Sequence, residues 1–337
     1  MRIPIVFSFD KYFSLAADIA LKSLVDSKAF DTDYEIFCID DGGLPCGVHR
    51  YFEDRYKVQW LSVDEKVFSD VPLCKGWNRN TYYRLIVPDL LSRYDKIIWS
   101  DVDVLFKKDL SSVFAIDLGG FDWAGVAAEV NDSNISCHVY RPENGNPFIY
   151  WPGFMVYNAV KWRREGLTRK CFEVIRRYNT ALTFCDLDVL NLVTRAIARL
   201  PFEYCVLETI ADWPSIESAP EYPFLSRVYS LDELEHAAKN PAIIHYAGIN
   251  PKVWNRRRED IPDHYWEYIK GSPFFRRDFY FPSAATDMKS ALLFAAYKTC
   301  PVRSAREALK RKWRGVKWSN QYQHSQLRRL EGGNGSR

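Results

Sequence analysis

The sequence of 337 residues contains no uninterrupted apolar run near the roughly 18 residues that a membrane-spanning helix needs. Its first ten residues, MRIPIVFSFD, become acidic at Asp10, which is not typical of a secretory signal and predicts a strand that begins the fold. The sequence also lacks an internal repeat. Its eight cysteines form no C-x-x-C pair, which disfavours a disulfide framework or a zinc site and predicts reduced thiols in the cytosol.

The composition is that of a folded chain, but the charge is unevenly distributed. With 47% apolar, 26% charged and 15% aromatic residues, the chain is not disordered, collagen-like or a coiled coil. Its length fits one large α/β domain or two ordinary ones. The net charge of +3 divides into −5 for residues 1–300 and +8 for residues 301–337. An acidic body with a basic tail predicts that the tail meets an anionic surface.

The tail itself is predicted to be helical. Residues 284–297 are rich in alanine, Pro301 interrupts them, and residues 304–307 resemble a capping box that opens a second helix. Cations interleaved with Trp313 and Trp318 fit a membrane surface. The same composition could bind nucleic acid, or form a solvated helix packed on the preceding domain.

Apolar runs and helical periodicities alternate along the first 250 residues. Strands are predicted at 3–9, 34–39, 58–63, 96–100, 123–128 and 242–246, and helices at 15–25, 79–91, 160–178 and 186–197. Residues 131–147, with their Asn, Ser, Gly and Pro, are predicted to be a loop. This alternation predicts an α/β fold with a mostly parallel sheet and helices on both faces.

The most informative segment is Asp101-Val102-Asp103, which follows the predicted buried strand KIIWS at 96–100. In extended backbone, side chains two residues apart project to the same side. Ligands of α/β sheets bind at the carboxyl ends of strands, and two adjacent carboxylates are natural ligands of a hard divalent cation. A pair of solvated loop acids would give the same pattern.

The D-x-D segment also fits a second enzyme class. In a haloacid-dehalogenase-like phosphatase, Asp101 would be the nucleophile and Asp103 the acid/base. That motif normally lies on the first strand, whereas residues 1–95 of this chain already carry an α/β pattern. The position counts against a phosphatase without excluding it.

The remaining motifs resemble those of glycosyltransferase family 8, the retaining enzymes that use nucleotide sugars. They occur in the family's order over roughly residues 3–254: IVFSFD, TYYRLIVPDLL, DVDVLFKKDL, GFMVYNAVKWR, DLDVLN and HYAGINPKVW. The resemblance implies a GT-A fold, which is Rossmann-like and binds a metal-chelated nucleotide sugar.

The resemblance also assigns roles residue by residue. It implies that Mn²⁺, or Mg²⁺, is held by Asp101, Asp103 and His245. It implies that the UDP-sugar is contacted by Ser8, Asp10, Tyr12, Arg84, Val102, Gly248 and Lys252. Catalytic positions, which bind sugar hydroxyls or orient the acceptor, are implied at Asp186, Asp188 and Glu129.

The sequence departs from the family pattern at the positions that contact the sugar. The pattern F-N-[SA]-G is here YWPG, with Trp151 in place of asparagine, and D-Q-D is here DLD, with Leu187 in place of glutamine. Lys252 comes one place later than the family's lysine. A non-catalytic nucleotide-sugar-binding relative is therefore a further alternative.

Together these observations predict a retaining glycosyltransferase that moves a hexose from a UDP-sugar to a membrane-associated glycan or glycolipid, such as lipopolysaccharide. Its location is expected to be cytoplasmic, peripheral on the inner face of the membrane, because family members that act on lipid-linked sugars often have a basic aromatic C-terminus. No nucleic acid partner is expected. The predicted divisions are a GT-A catalytic domain at 1–255, a connecting segment at 256–282, basic aromatic helices at 283–330 and a disordered tail at 331–337.

Overall fold

The computed structural model describes most of the chain, with gaps. The described residues are 1–40, 42–74, 79–132, 145–178, 181–212, 214–248, 252–275, 280, 284–302, 304–306 and 308–309. Part of the predicted loop at 131–147 and most of the predicted tail, including Trp313, Trp318 and the end of the capping box, lie outside them.

The described strands form a large and a small sheet. The strands are β1 (Arg2–Ser8), β2 (Asp33–Ile39), β3 (Gln59–Leu61), β4 (Lys96–Ser100), β5 (Val104–Phe106), β6 (Trp123–Val130), β7 (Phe148–Asn158), β8 (Ile197–Leu200), β9 (Val206–Leu207) and β10 (Ile243–His245). The large sheet has the order β3-β2-β1-β4-β7-β6-β8, and the small sheet has the order β5-β10-β9. In the large sheet only β7 runs antiparallel to its neighbours, so the predicted mostly parallel sheet is confirmed.

Helices connect these strands. They are α1 (Ser14–Asp26), α2 (Cys46–Tyr56), α3 (Val87–Leu90), α4 (Ser111–Phe114), α5 (Ala159–Arg164), α6 (Leu167–Tyr178), α7 (Asp186–Val193), α8 (Glu208–Ala211), α9 (Tyr222–Leu225), α10 (Leu231–Lys239), α11 (Asp263–Lys270) and α12 (Ala284–Thr299). Of the helices in the described ranges, none is both long and apolar enough to cross a membrane.

Three predicted helices have different bounds. The segment predicted at 79–91 is a 3₁₀ helix, Arg79–Ile86, followed by the single turn of α3, whose second residue is Pro88. The helix predicted at 160–178 is broken at Gly166, which adopts a φ of +61° after the end of α5. A glycine with positive φ is a common helix terminator because it lacks a Cβ. The helix predicted at 186–197 ends at Val193, because Asp122 binds the next backbone N–H groups, at residues 195 and 196, and leads them into β8.

The centre of the large sheet explains where a site can form. Ile97, Ile98 and Trp99 of β4 are at most 1% exposed, because β1 and β7 flank the strand and helices cover its faces. Such continuous apolar burial is typical of a central strand in an α/β protein. The first polar positions after β4 therefore lie at its carboxyl edge, where the buried sheet meets solvent.

The described cysteines are reduced, and the alanine-rich C-terminal segment is helical. Seven cysteines lie in the described ranges and have free thiols, and Cys137 lies outside them. The alanine-rich segment forms α12, as predicted, and exposes the apolar side chains of Met288 and Leu292. The predicted domain boundaries stay a prediction.

Candidate metal and substrate site

Asp101 and Asp103 lie at the carboxyl edge of the sheet, directly after β4. The Asp101 backbone N–H donates to the carbonyl of Gly153 on β7 at 2.8 Å, which extends the ladder by one residue beyond β4. Val102, between the two acids, is 5% exposed and turns its side chain into the core. The two carboxylates are thus held on one side of a short, anchored segment.

His245 meets these acids through the register of the small sheet. Strand β10 runs antiparallel to β5, with His245 paired to Val104, and the N–H of Tyr246 donates to the Asp103 carbonyl at 2.8 Å. The His245 Nε2 atom lies 3.2 Å from Asp103 Oδ1 and 4.0 Å from Asp101 Oδ2. One ligand atom from each of the three residues lies within 4.8 Å of the others. The predicted convergence of these side chains is therefore present in the fold.

The other ring nitrogen of His245 has its own partner. Cys205 Sγ lies 3.4 Å from Nδ1, and Cys205 directly precedes β9, the parallel neighbour of β10. A histidine that binds metal through one nitrogen is usually oriented by a hydrogen bond at the other. This contact leaves Nε2 directed towards the two acids.

The donor set fits a divalent cation. Two carboxylates with one imidazole are a donor set that can hold a divalent cation such as Mg²⁺ or Mn²⁺. Gly153 provides the room, because a Cβ at this position would lie 2.4 Å from His245 Cε1 and 3.3 Å from Asp101 Oδ2. The position next to the three ligands thus admits only glycine without rearrangement.

Lys252 reaches the site although it lies one place later than in the family pattern. Its Nζ lies 2.7 Å from Asp103 Oδ2 and 3.0 Å from the Tyr246 carbonyl oxygen. Burial alone would raise the pKa of Asp103, but the charges of Lys252 and His245 outweigh it and lower that pKa well below its usual range. Asp103 is therefore ionised, and Lys252 and His245 compensate its negative charge before any metal binds.

Arg84 joins the metal-site acids to a third carboxylate. Its guanidinium lies 2.7 Å from Asp101 Oδ1 and 2.9 Å from Asp186 Oδ2, and it also donates to the Pro152 carbonyl at 2.6 Å. The residue is only 8% exposed and its guanidinium packs over the Trp99 ring. Arg84 is therefore a buried bridge between two carboxylates and not a cation on a helix surface.

Asp186 and Asp188 have different surroundings, although the family resemblance implies the same role for both. Burial raises the pKa of Asp186 to about 6, against the opposing effect of Arg84. Asp188 accepts the backbone N–H groups of Thr183 and Phe184 at 2.8 and 2.9 Å, which ties the loop before α7 to the helix. Of the described residues, those lining the central cavity include Asp186 but not Asp188.

A cavity of about 560 Å³ opens above these residues. Of the predicted site residues it is lined by Arg84, Asp101, Asp103, Glu129, Asp186, His245, Gly248 and Lys252. The sequence assigned no role to several further lining residues, namely Thr81, Gly153, Phe184, Leu207, Glu221, Phe224 and Ala247. Thr81, Gly153 and Ala247 lie within the family motifs, but the seven residues come from separate segments that only the fold brings together.

Ser8, Asp10 and Tyr12 lie elsewhere on the same edge of the sheet. Ser8 is the last residue of β1, the neighbour of β4, and Asp10 and Tyr12 follow that strand. None of the three is among the described residues that line the cavity. Asp10 Oδ1 accepts the Tyr12 N–H at 2.8 Å and so caps a short 3₁₀ helix. The buried Ser8 hydroxyl makes no hydrogen bond within the part of the chain that the structure describes. The nucleotide-binding role of these residues, and of Val102, stays a prediction.

The electrostatics of His245 predict how metal binding depends on pH. Burial alone would lower the pKa of this imidazole, but the Asp103 carboxylate outweighs burial and raises the pKa well above its usual value. Since a metal ion binds only the unprotonated nitrogen, a divalent cation must displace a proton here. We expect binding to release about one proton and to strengthen as the pH rises from 6 to 8. Calorimetry in two buffers of different ionisation enthalpy measures this release, and equal heats in both would contradict it.

Comparison with known proteins gives a family match. The model of glycosyl transferase family 8 matches residues 4–258. General stress protein A of Bacillus subtilis is 22% identical over 73% of this chain and 86% of its own length. The lipopolysaccharide 1,2-glucosyltransferase of Escherichia coli is 26% identical over 75% of this chain and 73% of its own length.

Solved structures share the fold. The galactosyltransferase LgtC, determined in complex with donor and acceptor sugar analogues, superposes with a TM-score of 0.60 over 79% of this chain and 95% of that chain, at 20% identity. The bifunctional glycosyltransferase WbbM superposes with a TM-score of 0.62 over 80% of this chain and 49% of that chain, at 22% identity. These similarities confirm the predicted GT-A fold.

Proposed function

Because the chain belongs to glycosyl transferase family 8 and is a hexosyltransferase, we propose that it moves a hexose from a UDP-sugar to a glycan acceptor with retention of configuration. Family membership sets aside the phosphatase that the sequence left open, and turnover of the donor separates the proposed enzyme from a non-catalytic relative. The observation that carries the proposal is the convergence of Asp101, Asp103 and His245 at the base of a cavity large enough for a sugar.

In this proposal the acids and His245 hold Mn²⁺ or Mg²⁺. The ion, when bound, supplies positive charge that neutralises the departing diphosphate. Lys252 adds a second cation, because its amine already lies 2.7 Å from Asp103 Oδ2 and its long stem can turn towards a phosphate oxygen. Gly248 lines the cavity with a φ of +79° and no neighbouring atom within 4 Å of an added Cβ, so its backbone can approach the same group.

The sugar and the acceptor use other walls of the cavity. Asp186 accepts a hydrogen bond from a sugar hydroxyl, and Arg84 holds this carboxylate in place from 2.9 Å. Glu129, which is 6% exposed on β6, orients the acceptor hydroxyl. The uracil and ribose lie against Ser8, Asp10, Tyr12 and the Val102 backbone, at the adjacent strand ends. Asp188 supports the loop before α7 rather than touching the sugar.

The acceptor we propose is a membrane-associated glycan such as lipopolysaccharide, the substrate class named for the Escherichia coli relative. Helix α12 exposes Met288 and Leu292, and the residues that follow carry most of the excess positive charge. Exposed apolar side chains followed by cations favour binding to an anionic lipid surface. The enzyme would then act in the cytoplasm, at the inner face of the membrane.

Calorimetry with UDP, with and without Mn²⁺, tests the proposal directly. Because a bound ion is usually the largest charge in such a site, we expect UDP to bind at least about tenfold more tightly with Mn²⁺. Nuclear magnetic resonance of the sugar released by slow donor hydrolysis is expected to show the same anomeric configuration as the donor. UDP binding that is indifferent to metal would contradict the proposed site, and an inverted product would contradict the stereochemistry alone.

A further inference from the structure

Part of the cavity wall next to the metal-site acids is apolar. Trp151, Phe184 and Leu187 line the cavity, and each is only partly buried. Together with Arg84 and Asp186, which line it too, they make a surface that is charged in one part and unable to solvate hydroxyls in another. Hydrogen bonds of β7 and α7 position two of these residues, Trp151 and Leu187.

On β7, Trp151 lies two residues from Gly153, the residue of that strand that lies next to the metal site. Ser100, the last residue of β4, pairs with Phe154, and the Asp101 N–H donates to Gly153, so β7 continues past the end of β4 towards Trp151. A Cβ on Gly153 would meet His245, and Trp151 lies two residues away along the strand and lines the same cavity. At the usual rise of a strand, the two Cα atoms are roughly 6.6 Å apart.

Leu187 is tied to the same stretch of β7 by one buried amide. Asn191, which is 2% exposed, accepts the Tyr150 N–H at 2.9 Å and donates to the Tyr150 carbonyl at 2.9 Å. The same side chain donates to the Leu187 carbonyl at 2.8 Å. The first turn of α7 is therefore fixed beside the residue that precedes Trp151, which sets Leu187 and Trp151 close together at the cavity wall.

The location of this pair indicates which part of a ligand it meets. The proposed function requires that the metal-site residues hold the diphosphate. The sugar attached to it then lies about two residues further along β7, where Trp151 and Leu187 line the cavity. Leucine offers no hydrogen bond and tryptophan offers only one donor. A hydroxyl buried against them loses water without gaining a partner, whereas a methyl group gains from leaving water.

We propose that Trp151 and Leu187 determine donor specificity by selecting a hexose that presents a methyl group to them. The methyl group belongs either to an acetamido substituent or to the terminal carbon of a 6-deoxyhexose. The inference rests on the proposed function, because it places the sugar relative to the metal-bound diphosphate. Asp186 and Arg84 then bind the remaining hydroxyls on the polar side of the same sugar.

Titration calorimetry with Mn²⁺ and a panel of donors tests this selection. The panel pairs UDP-glucose with UDP-N-acetylglucosamine and UDP-galactose with UDP-N-acetylgalactosamine, and adds a UDP-6-deoxyhexose. One methyl-sized group in an apolar pocket typically changes specificity by about 10- to 200-fold, so we expect a methyl-bearing donor to bind at least about tenfold better than its hydroxyl counterpart. The acetamido and 6-deoxy arms distinguish the two sources of the methyl group.

Variants assign the preference to the two residues. Leu187→Gln and Trp151→Asn are expected to reduce the preference at least about fivefold without changing the affinity for UDP itself. Leu187→Met, a volume-conserving apolar exchange, is the matched control and should keep the preference. In saturation-transfer spectra the donor methyl group should receive magnetisation from aromatic protons in the wild type and lose most of it in Trp151→Asn.

The possible outcomes separate the inference from the function on which it rests. If UDP binds with Mn²⁺ but the hydroxyl donors bind as well as the methyl-bearing ones, the inference is wrong and the proposed function stands. A preference that survives in both polar variants would also overturn the assignment to Trp151 and Leu187. If UDP does not bind with Mn²⁺, the proposed function fails and the inference fails with it.

Discussion

Replacing Asp103 by alanine is expected to abolish the Mn²⁺-dependent part of UDP binding and to lower the transfer rate at least about 100-fold, because even outer partners of a metal site typically contribute 10- to 100-fold. Asp103 touches His245 Nε2 at 3.2 Å and Lys252 Nζ at 2.7 Å, so its loss removes a ligand and leaves the buried His245 and the partly buried Lys252 without their common counter-charge. Calorimetry with UDP and Mn²⁺ and a donor-hydrolysis assay measure the two effects.

A matched exchange separates this effect from general damage. Asp54 is exposed on α2 and is not among the residues that line the cavity, so Asp54→Ala should leave UDP binding and hydrolysis unchanged. Asp103→Asn keeps the shape but not the charge and should resemble Asp103→Ala in metal binding, since an amide oxygen is a weaker ligand for a hard cation. Metal-dependent UDP binding that persists in Asp103→Ala would remove this residue from the metal site.

The sequence predicted the position of the two acids well, and the reason is local. Asp101 and Asp103 follow an apolar run that only a buried central strand explains, so their place at the carboxyl edge follows from the strand alone. His245 is different, because its contact depends on β10 pairing antiparallel with β5 across about 140 residues of chain. No periodicity encodes that pairing, and only the family motif pointed to it.

Helix geometry separates the two acids of α7. The sequence predicted a helix here, and Asp186 and Asp188 lie in its first turn, where residues two apart point in nearly opposite directions. Asp186 consequently faces Arg84 and the cavity, while Asp188 binds backbone N–H groups of the preceding loop. Leu187 lines the cavity beside Asp186. The sequence motif names the right helix, but only the backbone geometry separates the roles of its residues.

Arg84 shows why some roles require the tertiary structure. Its segment has the pattern of an amphipathic helix, which leaves a surface cation as an ordinary interpretation. In the fold the segment is a 3₁₀ helix packed between α7 and the sheet, and the guanidinium is enclosed with two carboxylates. A buried arginine with paired acids is stable only because each charge has a partner. The neutralisation of the Arg84 charge depends on residues in or next to β4, β7 and α7. The sequence of any one of these elements therefore does not predict it.

Gly153→Ala is expected to disable the metal site as severely as loss of a ligand, although it removes no functional group. The new Cβ would lie 2.4 Å from His245 Cε1 and 3.0 Å from Nδ1, too close for atoms that are not bonded. The ring cannot easily move aside, because Cys205 contacts Nδ1 and the β10 backbone is paired on both sides. We expect at least about a 100-fold loss of Mn²⁺ affinity, because changes in residues that only support metal ligands already cost about 10- to 100-fold. Overpacking should also lower the free energy of unfolding by about 1–3 kcal/mol.

Two further variants establish that the clash with His245 is the cause. Gly120→Ala is the matched control, because a Cβ there meets no atom within 4 Å, and it should leave both metal affinity and stability nearly unchanged. A His245→Ala background removes the clash with the ring and leaves a 3.3 Å contact with Asp101 Oδ2, so Gly153→Ala should then cost much less further stability and metal affinity. Such non-additivity is expected only of residues in direct contact. Calorimetry and denaturant unfolding of the four proteins in this cycle measure both quantities, and additive losses would show that Gly153 acts on the site by a route other than His245.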